Sequence, residues 1–326
     1  MGRRLLAGLA AVLLSGSLVA GVPGPAAGAP GARVIAEATV GDRLVDLTID
    51  SPALGRTATV RLLTPAGWDR RDRDDRWPVL YLLHGVSGSH ADWTADSDVE
   101  DIDALRDVLV VMPDAGEGTY TNWWNRGRHG PPAWETFHLD ELRTILEGRY
   151  GAGTARVVAG LSMGGYGALL YAARRPGMFR AAASYSGPVH LLHPESVSRW
   201  RAVFADPEYA RYLDVWGDPD ARRGNWARHD PYHLADRLRP TPIFLACGDG
   251  TPGPLDVTEP DEWDIDAETF DRALNESLLP RLRRAGVRVV TDFYPGTHVP
   301  AYWERELHRS LPLLLDAVHG RTIIQR

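Results

Sequence analysis

The chain has no lysine and only one cysteine, Cys247, in 326 residues. All 36 of its basic residues are therefore arginine, set against 43 acidic ones for a formal net charge of -7. A chain with this balance lacks the basic face that a nucleic-acid partner requires. One cysteine excludes an internal disulfide, so the fold must hold by its core. Cys247 lies in the apolar run Pro242 to Cys247 and reads as a small buried hydrophobe. Long apolar runs are equally scarce: the one of note, Leu5 to Ala20, follows Arg3 and Arg4 and precedes Ala27-Gly28-Ala29. That order matches a secretory signal, a positive stretch, a short apolar stretch and a small-residue cleavage site. Residues 1–29 are expected to be a signal peptide and 30–326 one domain, with no stable membrane anchor left after cleavage.

Beyond the leader, β-like and helical patterns alternate. Val79 to Leu83, Val108 to Met112, Arg156 to Leu161, Ala181 to Tyr185, Ile243 to Cys247 and Val287 to Phe293 are short apolar runs typical of strands covered on both faces. Leu44 to Ile49 and Arg56 to Leu63 alternate like half-buried strands. Helical spacing occupies Thr136 to Arg149, Tyr166 to Arg174, Ala267 to Ala285 and Tyr302 to Val318. This rhythm predicts an α/β class with a mostly parallel central sheet flanked by helices. Residues 190–239, rich in Trp, Arg, Asp and Pro, fit no such unit and are expected to form a helical cap.

The chemistry centres on Gly160-Leu161-Ser162-Met163-Gly164, placed where an apolar strand turns into a helix. A G-x-S-x-G at a strand-to-helix turn is a nucleophile elbow: the turn strains the serine backbone, and small neighbours relieve the crowding. The following helix aims backbone N–H groups at developing negative charge. A serine hydroxyl needs a base, which in this arrangement follows an acid later in the chain. His298, on the loop after the last strand, is the candidate base; His308 and His319 fall in the C-terminal helical pattern. The oxyanion donors are expected to be the N–H groups of Met163 and of Val86, which lies just beyond the strand ending at His84 and Gly85. His84 itself reads as a turn residue. Asp96 to Asp103 lacks the spacing of a calcium loop, and Pro231 between His229 and His233 argues against a helical zinc pair. Trp123 and Trp124 follow a strand on the candidate active-site side and are expected to line the substrate groove.

"YLLHG", "WETFHLDEL", "GLSMGGYGAL", "CGDGTPGPLD" and "GTHVPAYW", in that order from Tyr81 to Trp303, resemble an esterase family. It contains the actinobacterial mycolyltransferases (diacylglycerol acyltransferases) and S-formylglutathione hydrolases. The resemblance implies an α/β-hydrolase fold, Ser162 as nucleophile, His298 as base, and chemistry without a metal or organic cofactor. It also implies a small-molecule, lipid or glycolipid acyl ester as substrate. Two positions depart from the mycolyltransferases: Pro300 replaces a tryptophan of their sugar site, and Pro254 stands where their catalytic glutamate falls. The acid is therefore sought on the loop after Ile243 to Cys247. Asp256 is preferred there to Asp249, with Glu259 behind. The expected function is a secreted serine carboxylesterase acting through an acyl-enzyme. The alternatives are a mycolyltransferase-type acyltransferase and a non-catalytic cell-wall-binding protein on the same fold.

Overall fold

The computed structural model describes residues 31–125, 133–207, 209–256 and 259–321. The expected signal segment lies outside them. Nine strands form one sheet in the order β1-β2-β3-β5-β4-β6-β7-β8-β9. They are β1 Arg33–Thr39, β2 Leu44–Ser51, β3 Arg56–Leu63, β4 Trp77–Leu83, β5 Leu109–Pro113, β6 Ala152–Leu161, β7 Ala182–Tyr185, β8 Ile243–Gly248 and β9 Val289–Tyr294. The pairs β1–β2, β2–β3 and β3–β5 are antiparallel, and every pair from β5–β4 to β8–β9 is parallel. The sheet is thus mixed, with its parallel part in the strands that read as continuous apolar runs.

Those runs are apolar because both faces are covered. Along β4, Val79, Tyr81 and Leu83 join the core on one face and Leu80 and Leu82 that on the other. In β6, Val158 joins the first core, while Val157 and Ala159 join the second. The C-terminal helix Pro300–His319 covers the second face with Leu307, Leu311, Leu314 and Val318, an amphipathic stripe. A proline suits its first turn, where the missing N–H would have had no partner. Helix Met163–Arg174 is buried all round: one side rests on the sheet, while Tyr166 and Leu170 pack into a third core with Trp216 and Trp226.

That third core belongs to the excursion between β7 and β8. The chain there runs through helices Pro194–Ala205, Leu213–Trp216 and Arg223–Ala227, with single-turn helices at Ala210–Tyr212 and Ala235–Leu238. Trp200 packs edge to face on both Trp216 and Trp226, which meet each other at a tilt, and Trp226 Nε1 donates to the Gly217 carbonyl at 2.9 Å. Tyr166 OH donates to His229 O at 2.8 Å and ties this layer to the helix below. The family-like stretch Trp134 to Leu142 also serves packing: Trp134 and Phe137 are core residues, and buried Glu135 accepts from Arg174 Nε at 3.0 Å.

Strand β1 was not legible in advance. Its side chains are largely exposed, so no apolar alternation marks it, and ladder pairing with β2 holds it in place. A π-helical turn at Phe137–Leu142 interrupts the helix expected from Thr136 to Arg149.

Candidate active site

Ser162 stands between β6 and helix Met163–Arg174 with φ +50° and ψ −123°, a region that non-glycine residues rarely occupy. Its N–H donates to Tyr185 O of neighbouring β7 at 2.8 Å, which pins the turn to the sheet. The glycines have a steric reason. A Cβ on Gly160 would overlap the Gly164 carbonyl, and one on Gly164 would overlap the Leu83 carbonyl. Strand β4, strand β6 and the helix therefore approach closely enough to force the serine onto the tip of the turn.

His298 follows β9 and is 3% exposed. Two tryptophans meet its ring nearly perpendicularly: Trp303 at 4.9 Å and Trp263 at 5.2 Å between ring centres. Its Nδ1 lies 2.6 Å from Glu268 Oε2, so Nδ1–H donates to the carboxylate. Glu268 is fully buried, and its other oxygen accepts from Ser186 Oγ at 2.7 Å, from the Gly248 N–H at 2.5 Å and from Cys247 Sγ at 3.5 Å. Trp303 Nε1 in turn donates to Ser186 Oγ at 3.2 Å, so one chain of hydrogen bonds fixes both the carboxylate and a ring that flanks the imidazole. A buried charge needs this density of donors. Burial, with the Glu268 charge behind it, pushes the Cys247 thiol well above its usual range, so the thiol is a neutral donor.

The acid on the imidazole is therefore not one of those expected. Asp256 accepts from Thr297 Oγ1, from Tyr302 OH at 2.8 Å and from the Gly253 N–H at 2.6 Å. It braces the loop next to His298 instead of touching the ring. Asp249 accepts from Thr251 N–H at 2.9 Å and Thr251 Oγ1 at 2.5 Å, a closed local turn. Glu268 was missed because it lies on helix Glu262–Arg284, beyond the loop that was searched. A signal was nonetheless present. Glu268, Asp271 and Asn275 share one helical stripe with Leu278 and Leu282, and all five are buried. Polar residues on the apolar stripe of a helix call for a partner.

Two cavities border Ser162 and His298. The smaller, of about 210 Å³, is walled by Gly85, Val86, Trp93, Pro300 and Trp303. The larger, of about 640 Å³, is walled by Met163, Tyr166, Trp200, Trp216 and Phe270. Val86 lines both, and Met163 opens the helix whose N-terminus faces the larger. The positions expected to supply oxyanion donors thus lie beside the serine. Trp123 and Trp124 line neither cavity, which corrects their expected role. Trp123 is buried with its Nε1 on Gly118 O at 3.2 Å, and Trp124 sits under the Arg222 guanidinium 4.7 Å away. Both belong to the seam between body and cap, where Trp124 N–H donates to Val215 O.

His84 is a turn residue. Its Nδ1 donates to Gly85 O at 2.7 Å, and its Nε2 accepts from the Ala115 N–H at 2.9 Å. His229 and His233 point to different partners: His229 to Asn225 O and His233 to Asp230, where His190 also converges. Asp230 already accepts from the Leu192 and Tyr232 N–H groups, so this cluster braces the cap.

The "Esterase" family model matches residues 51–314 of the chain. The chain belongs to the Esterase family. Among esterase-family relatives, it is 32% identical over 279 residues to Esterase Rv1288 of Mycobacterium tuberculosis, a match covering 82% of this chain. The match covers 58% of that relative, little more than half its length. It is 29% identical over 282 residues to the diacylglycerol acyltransferase/mycolyltransferase Ag85B of Mycolicibacterium smegmatis, covering 82% of each protein. Among solved structures, Mycobacterium tuberculosis MPT51 superposes with a TM-score of 0.67 at 22% identity, over 83% of this chain and 97% of that one. A ferulic acid esterase superposes with a TM-score of 0.64 at 23% identity, over 84% and 98%. These structural likenesses establish the α/β-hydrolase fold. No helix among the described residues is long and apolar enough to cross a membrane.

Proposed function

We propose that the protein is a serine carboxylesterase with Ser162, His298 and Glu268 as its catalytic triad. The observation that carries this reading is the Glu268–His298 contact at 2.6 Å, on a histidine that shares two cavities with an elbow serine. His298 Nε2 takes the proton of Ser162 Oγ as that oxygen bonds to the ester carbonyl carbon. The N–H groups of Val86 and Met163 receive the oxyanion, helped by the positive end of helix Met163–Arg174. The C–O bond to the alcohol then breaks, and His298 returns the proton to the departing oxygen. Water repeats the sequence on the acyl-enzyme and releases the acid. Glu268 holds the imidazole with Nδ1 protonated and stabilises the imidazolium that forms. None of these steps calls on a metal or organic cofactor. The leader-like composition of residues 1–29 supports export as part of the same reading.

Acyl transfer is the second reading, and one observation favours it: two adjoining cavities meet at Ser162 and His298, room for an acyl group and for an acceptor. Incubation with p-nitrophenyl butyrate, with and without sugar alcohols, separates the two. Free butyrate as the dominant product in both cases supports the esterase; acylated sugar as the dominant product supports the transferase. Absence of any turnover, together with no labelling of Ser162 by a fluorophosphonate, sinks the serine mechanism.

A further inference from the structure

The helix that supplies Glu268 carries a second buried carboxyl one turn further on. Asp271 is only 5% exposed and lines the larger cavity together with Ser162 and His298. Its backbone carbonyl accepts from Asn275 Nδ2, but its carboxyl oxygens meet no hydrogen-bond donor among the described residues. Other buried acids differ. Glu268 is held by Ser186, Gly248 and His298, Asp230 by Leu192, Tyr232 and His233, and Glu135 by Arg174. The Asp271 carboxyl is instead left open to whatever fills the cavity that it lines.

Burial, and then repulsion from Glu268, raise the Asp271 carboxyl well above the usual carboxylate range, with Arg199 opposing the shift less strongly. A carboxyl in this position accepts from a hydroxyl, and in its protonated form donates to one as well. Around it, Tyr166, Trp200, Trp216 and Phe270 contribute aromatic walls. The nearby charges are engaged: the Arg199 guanidinium lies 4.2 Å over the Phe270 ring, and Glu117 binds Arg211 and Tyr212.

We propose that Asp271 recognises a hydroxyl on a ring of the substrate, so that the larger cavity selects esters carrying a hydroxylated ring over their plain counterparts. The proposal rests on the reading of Ser162 as nucleophile. Aromatic walls stack on a flat ring. A ring hydroxyl can donate to an Asp271 carboxyl oxygen, and accept from the carboxyl when it is protonated. A bare ring or alkyl chain would seal the same carboxyl away from water with nothing to bond, and sites of this kind reject analogues that lack the hydroxyl.

The test uses two matched pairs of esters. Methyl 3-(4-hydroxyphenyl)propanoate against methyl 3-phenylpropanoate places the ring on the acyl side. 2-(4-Hydroxyphenyl)ethyl acetate against 2-phenylethyl acetate places it on the alcohol side. The parent enzyme should favour the hydroxylated member of one pair by about tenfold or more in kcat/KM, mostly through KM, and that pair identifies the side that enters the cavity. Asp271→Leu should bring this ratio close to one. Asp271→Asn, whose amide still donates and accepts, should keep most of it; a cooperative thermal melt checks that each variant is folded. Should Asp271→Leu fail to fold, Asp271→Ala is measured in its place with the same expectation. A ratio within twofold in the parent on both arms, or one unchanged on removal of the carboxyl, overturns the proposal while leaving the esterase reading intact. A parent that hydrolyses none of the four esters and resists fluorophosphonate labelling overturns both.

Discussion

The two ends of the His298 site are built in opposite ways. At the serine end, adjacent residues do the work: Gly160 and Gly164 permit the close approach, and the strand-to-helix turn puts Ser162 at φ +50°. At the acid end, nothing adjacent helps. Glu268 lies 30 residues before His298 in the chain and 20 after Gly248, and it meets both only because β8, β9 and helix Glu262–Arg284 pack together. A nucleophile held by local backbone has a signature in five residues. An acid needs only a carboxylate on the imidazole, and several positions in the chain can deliver one.

Mutations sharpen this contrast in order of expected effect. Ser162→Ala should lower kcat for p-nitrophenyl butyrate on the order of 10⁴-fold or more with an unchanged melting temperature, because no other group can form the acyl bond. Near-parental turnover by this variant would remove the serine end altogether. Glu268→Gln should cost about 10³- to 10⁴-fold in kcat. The amide cannot replace the charge that stabilises the imidazolium, and its NH₂ disrupts the hydrogen bonds from Ser186 and Gly248. If kcat survives within tenfold, the acid end lies elsewhere.

Asp256→Asn probes the brace. It removes charge from the Thr297 and Tyr302 contacts without touching the ring, so kcat should fall by less than about tenfold and stability by about 1–2 kcal/mol in urea unfolding. A loss matching that of Glu268→Gln would restore Asp256 as the acid. Asp249→Asn should be the mildest, within about twofold in kcat, since only the Thr251 turn is affected and the site is exposed.

Legibility followed the same division. The parallel strands could be read because burial on both faces leaves continuous apolar runs. The C-terminal helix could be read because burial on one face leaves a stripe. Strand β1 could not, since an exposed edge strand owes its place to the β2 ladder. Trp123 and Trp124 were misplaced because a loop position says nothing about which surface a ring will meet; cap residues such as Trp216 took the cavity wall instead.

By itself, the sequence determined the sheet-and-helix class and the strand-to-helix turn at Ser162, and it singled out His298 on the loop after the last strand. Each depends on periodicity or on steric demands between neighbouring residues, which a linear string records. Tertiary structure alone decided that Glu268 meets the imidazole, that Asp256 braces the loop beside it and that Asp271 faces the cavity. Hydrogen bonds between side chains far apart in the chain depend on how helices lie against the sheet. A carboxylate's chemistry is the same at every position until packing selects its partner.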